Sequence, residues 1–178
     1  MNTSAGTSQG PNPPFRVGVG YDLHRLEPVA PAGQGKPLVI GGVTVESDVG
    51  PVAHSDGDAL AHAITDALLG AAALPDIGQL FPNTDNANRD RDSRDFLRAA
   101  AAAVAERGWA ISNIDAVVVT EAAKIGPRKP AIVAALAETL AIEPARVGLK
   151  GKSGEGVDAA GRREAIVAHA IVLLMNDG

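Results

Sequence analysis

Two short segments concentrate metal-binding and acid–base side chains in this chain: Asp22-Leu23-His24, and His54-Ser55-Asp56-Gly57-Asp58 followed by His62. Together they hold three of the four histidines in 178 residues that include no cysteine. His, Asp and Glu are therefore the strong transition-metal ligands the sequence offers. If Asp22, His24 and His62 converge, they make a three-ligand site with a fourth position open, the arrangement of catalytic zinc. Spacing alone leaves a second reading open. An Asp-x-His pair in a loop is commonly a surface hydrogen bond, and a helical His beside Asp a solvated pair.

The elements that must position these groups can be read from periodicity. Phe15 to Tyr21 alternates as a strand, so Asp22 and His24, just beyond its end and two residues apart, point to one side. From Asp58 to about Ala73 the pattern is helical, with Leu60, Ile64, Ala67, Leu68 and Ala71 on one stripe and Ser55 or Asp56 placed to cap it. Positions four apart then bring Asp58, His62 and Asp66 to one face. His62 supplies the third ligand, and the two carboxylates are expected to fix its tautomer. His54 and Ser55 stand at the helix start, where free N–H groups favour anions.

The remaining segments give the architecture. Residues 28–37 form a Pro/Gly-rich loop, and Gly41-Gly42 joins 38–40 to 43–45 as a hairpin. Residues 74–91 read as a long irregular loop. A second helix runs from Ser93 to Arg107, capped by Asp92 or Ser93 and stopped by Gly108. Ile114 to Thr120 is a buried strand, and Pro130 suits the first turn of a helix continuing to Ala141. Residues 146–150 and 165–174 are the last strands. This order predicts an α+β two-layer sandwich, a mixed sheet covered by helices on one side. Residues 1–14 read as a disordered N-terminal tail, and 15–178 as a single domain. His169, opposite the apolar row of the last strand, is expected to be a hydrogen-bonded structural residue.

Composition narrows the function. A net charge of −5 argues against nucleic acid as partner. The charge of an anionic substrate must then be met locally, by metal ions, backbone N–H groups and a few cations. No run of eighteen apolar residues and no signal peptide are present, so a membrane span is not expected and a cytoplasmic location is. Five aromatic residues and an alanine-rich core suggest that oligomerisation adds apolar burial. The segment 148–153 imitates a phosphate loop but has Arg146 where that motif needs Gly, and Gly18-Val19-Gly20 fails the dinucleotide fingerprint at Leu23.

With these segments in view, the chain resembles the 2-C-methyl-D-erythritol 2,4-cyclodiphosphate synthase family. The match carries residues 18–24, the hairpin 40–43, Ala53 to Asp58, His62 to Gly70 and Asp76 to Pro82, and spans about residues 15–175. The resemblance implies a homotrimer with active sites between subunits. It implies conversion of 4-diphosphocytidyl-2-C-methyl-D-erythritol 2-phosphate into the cyclic diphosphate and CMP. Zn2+ would sit on Asp22, His24 and His62, and Mg2+ or Mn2+ would be contacted by Glu155. His54, Ser55, Asp58 and Ser153 match catalytic positions. Asp76 and Gly78 match the sugar-binding part of the loop, Phe81 and Asp85 the methylerythritol pocket. Ala122 and Lys124, in the 120–124 segment, match the cytosine and nucleotide-phosphate end, and Arg162 a further substrate position.

The chain departs from the family pattern mainly at 150–162, where Lys152 replaces a threonine and Asp158-Ala159 replace a Gly-Phe pair; Asn83 replaces an Asp. Two other readings stand beside the lyase: a zinc-dependent phosphoesterase or diphosphatase with water as nucleophile and Asp58 or His54 as base, and a trimeric binding protein without turnover.

Overall fold

The structure, a computed structural model, describes residues 14–177. Its elements are β1 (Phe15–Pro28), β2 (Val39–Ile40), β3 (Val43–Thr44), β4 (Val49–Pro51), α1 (Ala59–Ala71), α2 (Ile77–Leu80), α3 (Ser93–Glu106), β5 (Trp109–Val119), α4 (Ile125–Leu140), β6 (Val147–Lys152) and β7 (Ala165–Asn176). The main sheet runs β4-β1-β7-β5-β6, antiparallel except for β5 with β6, so it is mixed as expected. Helices cover its inner face, where Ile114, Ala116, Val118, Ala168, Ala170 and Val172 are buried.

One contact sets the geometry that follows. Alternation on β1 turns Gly18, Gly20, Asp22 and His24 towards α1, and the two glycines let the helix lie directly on the strand. A Cβ at Gly18 would stand 2.0 Å from the Ala67 carbonyl oxygen, and one at Gly20 1.8 Å from that of Ala63. The glycine pair read as a failed nucleotide fingerprint is therefore a packing device that brings His62 down to β1.

The other face of β1 carries Val17 and Val19, 68% and 73% exposed, with Tyr21 and Leu23, and Ile171 and Met175 of β7 continue the patch. His169 stands among them, exposed and edge-on to Tyr21 with ring centroids 5.1 Å apart. The expected hydrogen bond is not found among the described residues.

Several boundaries differ from the sequence reading. β1 pairs with β7 as far as Arg25↔Ala165, so Asp22 and His24 lie inside the strand rather than after it. β5 starts at Trp109, its pairing with β7 irregular between Ile111 and Asn113. β4 was not anticipated. Helix α4 begins at Ile125, which places Pro130 inside it rather than in its first turn. The 74–91 segment contains α2 and a 3-10 turn at Asn86–Asn88. The hairpin is as read, with Gly41 and Gly42 at φ +58° and +78°. The tail expected over 1–14 lies, Pro14 apart, outside the described residues. No helix among them is long and apolar enough to cross a membrane.

Candidate metal centre and substrate cavity

Three donor atoms meet where α1 crosses β1. His24 Nε2 lies 3.0 Å from Asp22 Oδ2, His62 Nδ1 lies 3.1 Å from the same oxygen, and the two ring nitrogens are 3.1 Å apart. These residues form a group able to hold a metal ion among the described residues. Donors about 3 Å apart suit a zinc ion at its usual ligand distance of about 2.0–2.1 Å. Without a cation or a proton, three lone pairs would face one another at this distance. The donor chemistry therefore fits zinc.

Electrostatics point the same way. Burial works against ionisation of Asp22, but hydrogen bonds and charge from His24 and His62 outweigh it and hold the carboxyl well below the usual carboxylate range. Burial alone would lower the His62 pKa, yet Asp22 raises it above the ordinary imidazole value. The cluster draws positive charge into a buried corner.

What orients His62 is not what the spacing suggested. Its Nε2 faces Ser93 Oγ at 2.8 Å and Ser55 Oγ at 3.3 Å. Ser93 Oγ in turn donates to Asp56 Oδ1 in a short contact, and the Ser93 amide donates to Asp56 Oδ2 at 2.9 Å. With Nε2 protonated and donating to Ser93, the Nδ1 lone pair is left for a metal. Ser93 had been recognised only as a possible helix cap; Asp92 is the cap, and the Ser93 hydroxyl crosses to His62.

Asp58 is a correction. It is 0% exposed, and its carboxylate accepts from the amides of Gly41 (2.9 Å), Gly42 (2.6 Å) and Ala61 (3.0 Å). It is the cap of α1, in place of Ser55 or Asp56, and it ties the hairpin to that helix. Burial raises its pKa against the pull of those three amides. So enclosed, its carboxylate is committed to three backbone amides rather than to His62. Asp66 likewise turns away from His62, accepting from the Ile77 amide at 2.8 Å, and burial raises its pKa too.

A cavity of about 350 Å3 opens beside the trio. His24, His54, Ser55 and His62 line one side, Gly78, Phe81, Asn83 and Phe96 another. Phe81 and Phe96 pack with centroids 4.8 Å apart, and the Arg91 guanidinium lies over both, at 5.4 and 5.1 Å. His54 Nε2 donates to the Asp85 carbonyl at 3.3 Å. Asp76 and Asp85 cap α2 and the following turn, accepting from Gln79 and Ala87 amides, so they shape the loop that carries Gly78 and Phe81.

The other predicted residues lie elsewhere. Ala122, Lys124 and Ser153 line a second cavity of about 450 Å3 past the ends of β5 and β6, together with Thr120, Lys152 and the unanticipated Glu46. Glu155 and Arg162 line neither cavity. Glu155 is exposed on the 153–164 loop with φ +53°, and Arg162 pairs with Glu164 at 3.1 Å. Within one chain, therefore, Glu155 is not brought to the metal corner.

The family model described as the YgbB family matches residues 15–175. A 2-C-methyl-D-erythritol 2,4-cyclodiphosphate synthase from Rhodopirellula baltica is 51% identical over 160 residues, covering 90% of this chain and 93% of the relative. The synthase of that name from Bordetella bronchiseptica is 49% identical over 167 residues, covering 94% and 99%. Among solved structures, a CDP-bound form of 2C-methyl-D-erythritol-2,4-cyclodiphosphate synthase superposes with a TM-score of 0.79 at 42% identity, covering 89% of this chain and 99% of that one. The CDP complex of IspF from Plasmodium falciparum gives 0.79 at 32% identity, covering 92% and 97%.

Proposed function

The chain belongs to the YgbB family, and from that membership we propose that it cyclises 4-diphosphocytidyl-2-C-methyl-D-erythritol 2-phosphate to 2-C-methyl-D-erythritol 2,4-cyclodiphosphate, releasing CMP. It is a phosphorus–oxygen lyase of isoprenoid biosynthesis, and a cytoplasmic setting belongs to the same proposal. The observation that carries this reading is the convergence of Asp22, His24 and His62 beside a cavity lined by His54 and Ser55.

An oxygen of the substrate's own 2-phosphate attacks the β-phosphorus. The new P–O bond forms as the bond to CMP breaks, and CMP leaves with the electron pair on its phosphate. No side chain has to attack, so catalysis rests on positioning and charge neutralisation. Zinc held by Asp22, His24 and His62, with Mg2+ or Mn2+ at the diphosphate, would supply Lewis-acid stabilisation of the phosphate charge. Ser93 and Asp56 keep the His62 ring in register. His54 and Ser55 bound the phosphate side of the cavity, while Phe81 and Phe96 form an apolar wall against the methylerythritol carbons. Thr120 to Lys124, Lys152 and Ser153 receive the cytidine nucleotide, the Lys124 and Lys152 ammonium groups meeting its phosphates.

A homotrimer with sites between neighbours completes the proposal. The outer face of β1 and β7 supports it, because a monomer would leave that contiguous apolar patch in water. So does the separation of the parts: the metal corner lies on β1 and α1, the second cavity past β5 and β6, and Glu155 and Arg162, on the 153–164 loop, line neither cavity. Contact of Glu155 with the second ion requires this loop to meet the site across a subunit boundary.

The test is incubation of the cytidyl substrate with protein, zinc and magnesium, followed by phosphorus NMR. A cyclic diphosphate plus CMP is the expected outcome. An open-chain phosphate would instead establish a zinc phosphoesterase, and unchanged substrate a binding protein.

A further inference from the structure

Behind the cavity, one lysine holds the turn that carries His54 and Ser55. Lys36 Nζ donates to the His54 carbonyl at 3.2 Å, to the Ser55 carbonyl in a short contact, and to Asp90 Oδ1 at 2.7 Å. An ammonium has three N–H donors, and all three are committed here. The Lys36 side chain is 27% exposed, so its two carbonyl bonds are partly shielded from water, which makes a lost partner costly, while the bond to Asp90, itself 70% exposed, faces solvent.

The surroundings fix the lysine itself. Its amide donates to the Pro51 carbonyl at 3.0 Å, and a Cβ at Gly50 would stand 1.7 Å from the Lys36 carbonyl oxygen, so β4 lies tight against this backbone. On the far side, the Asp90 amide donates to the same His54 carbonyl at 2.9 Å, from a residue at φ +55°. The Asp56 amide donates to the Arg91 carbonyl at 3.1 Å. Three segments remote in sequence thus meet at one cation: the strap before β2, the 53–58 turn and the 88–92 loop.

We propose that Lys36, braced by Asp90, is a positioning residue for the cyclisation: its ammonium clamps the His54–Ser55 turn at the orientation that presents both side chains to the substrate phosphates. The inference rests on the function proposed above. The clamp meets the His62 ring only through Ser55, whose Oγ lies 3.3 Å from Nε2, while the ring's shorter contacts are to Asp22 and Ser93, neither of which touches Lys36.

The test compares Lys36→Met, Lys36→Arg and Asp90→Asn with wild type for kcat, KM, zinc stoichiometry and thermal midpoint. Lys36→Met keeps the aliphatic stem and loses all three bonds. It should bind zinc like wild type yet lose about 10- to 100-fold in kcat/KM, with kcat carrying most of the loss. Asp90→Asn leaves both carbonyls clamped and should lose less than about threefold. If Lys36→Met does not fold, Lys36→Arg decides, since a planar guanidinium cannot meet three acceptors arranged around a tetrahedral ammonium. It should be folded and zinc-bound with kcat/KM reduced about fivefold or more.

Wild-type kcat/KM in Lys36→Met, or in Lys36→Arg where that variant decides, overturns the clamp. So does a loss that follows zinc content or folded fraction. Wild-type protein that makes no cyclic diphosphate overturns the proposed function and this inference with it. Turnover by wild type with equal turnover by the lysine variants overturns this inference alone.

Discussion

The metal corner and the C-terminal loop of 153–164 are built on opposite principles. At the corner, donors on β1 and α1 are fixed by strand pairing, by glycine-mediated contact and by the Ser93–Asp56 relay, so one chain is enough to assemble them. The C-terminal loop is exposed and held mostly by its own bonds. Asp158 accepts from the Gly161 amide at 2.7 Å, and Glu155, Gly156 and Arg163 all have positive φ. Preorganisation is concentrated at the metal-ligand trio, whereas the 153–164 loop is left largely exposed within one chain.

Breaking the corner should have the largest effect. Asp22→Ala removes the carboxylate shared by both histidines and should abolish zinc retention and lower turnover by about 10³-fold or more, with the fold intact by circular dichroism. Val19→Glu attacks the other side of the comparison. Val19 is exposed in the single chain, so its melting should change little for the monomer. Sedimentation should show loss of the proposed trimer, and turnover should fall about 100-fold while zinc stays bound.

Ser93→Ala sharpens the comparison within the corner. Freed from its orienting bond, His62 should bind zinc about 10- to 100-fold more weakly in a chelator competition. Lys152→Thr probes the exposed end, where this lysine lines the second cavity. A single ammonium in partly solvated surroundings should matter by about two- to fivefold in KM for the cytidyl substrate, with zinc affinity unchanged.

Much of the corner could be read from the chain because its spacings are local. Asp22 and His24 share a strand face at a spacing of two, and His62 sits on a helix whose apolar stripe is plain. The error at Asp58 has a definite cause. The rule that positions four apart share a face holds inside a helix, whereas Asp58 is the cap, with a non-helical ψ of 89° and a side chain bent back onto the Ala61 amide. Asp66 obeys the rule in position but finds a free amide donor at Ile77 instead of His62.

Longer-range partnerships left no such trace. Ser93 meets His62 and Asp56 from 31 and 37 residues away, and no periodicity connects them. The full length of β1 and β5 and the short edge strand β4 depend on pairing partners distant in sequence, so local propensity ends β1 early, starts β5 late and misses β4. The second cavity gathers Glu46, Thr120 to Gly126 and Gly151 to Ser153 from segments distant in sequence, and no spacing connects them.

X-ray absorption at the zinc edge of metal-replete protein tests the central claim most directly. It should show one four-coordinate zinc per chain, with two imidazole nitrogens and carboxylate oxygen at about 2.0–2.1 Å, and the signal should disappear in Asp22→Ala. Metal-replete protein without bound zinc, or zinc whose coordination is unchanged in Asp22→Ala, would contradict it.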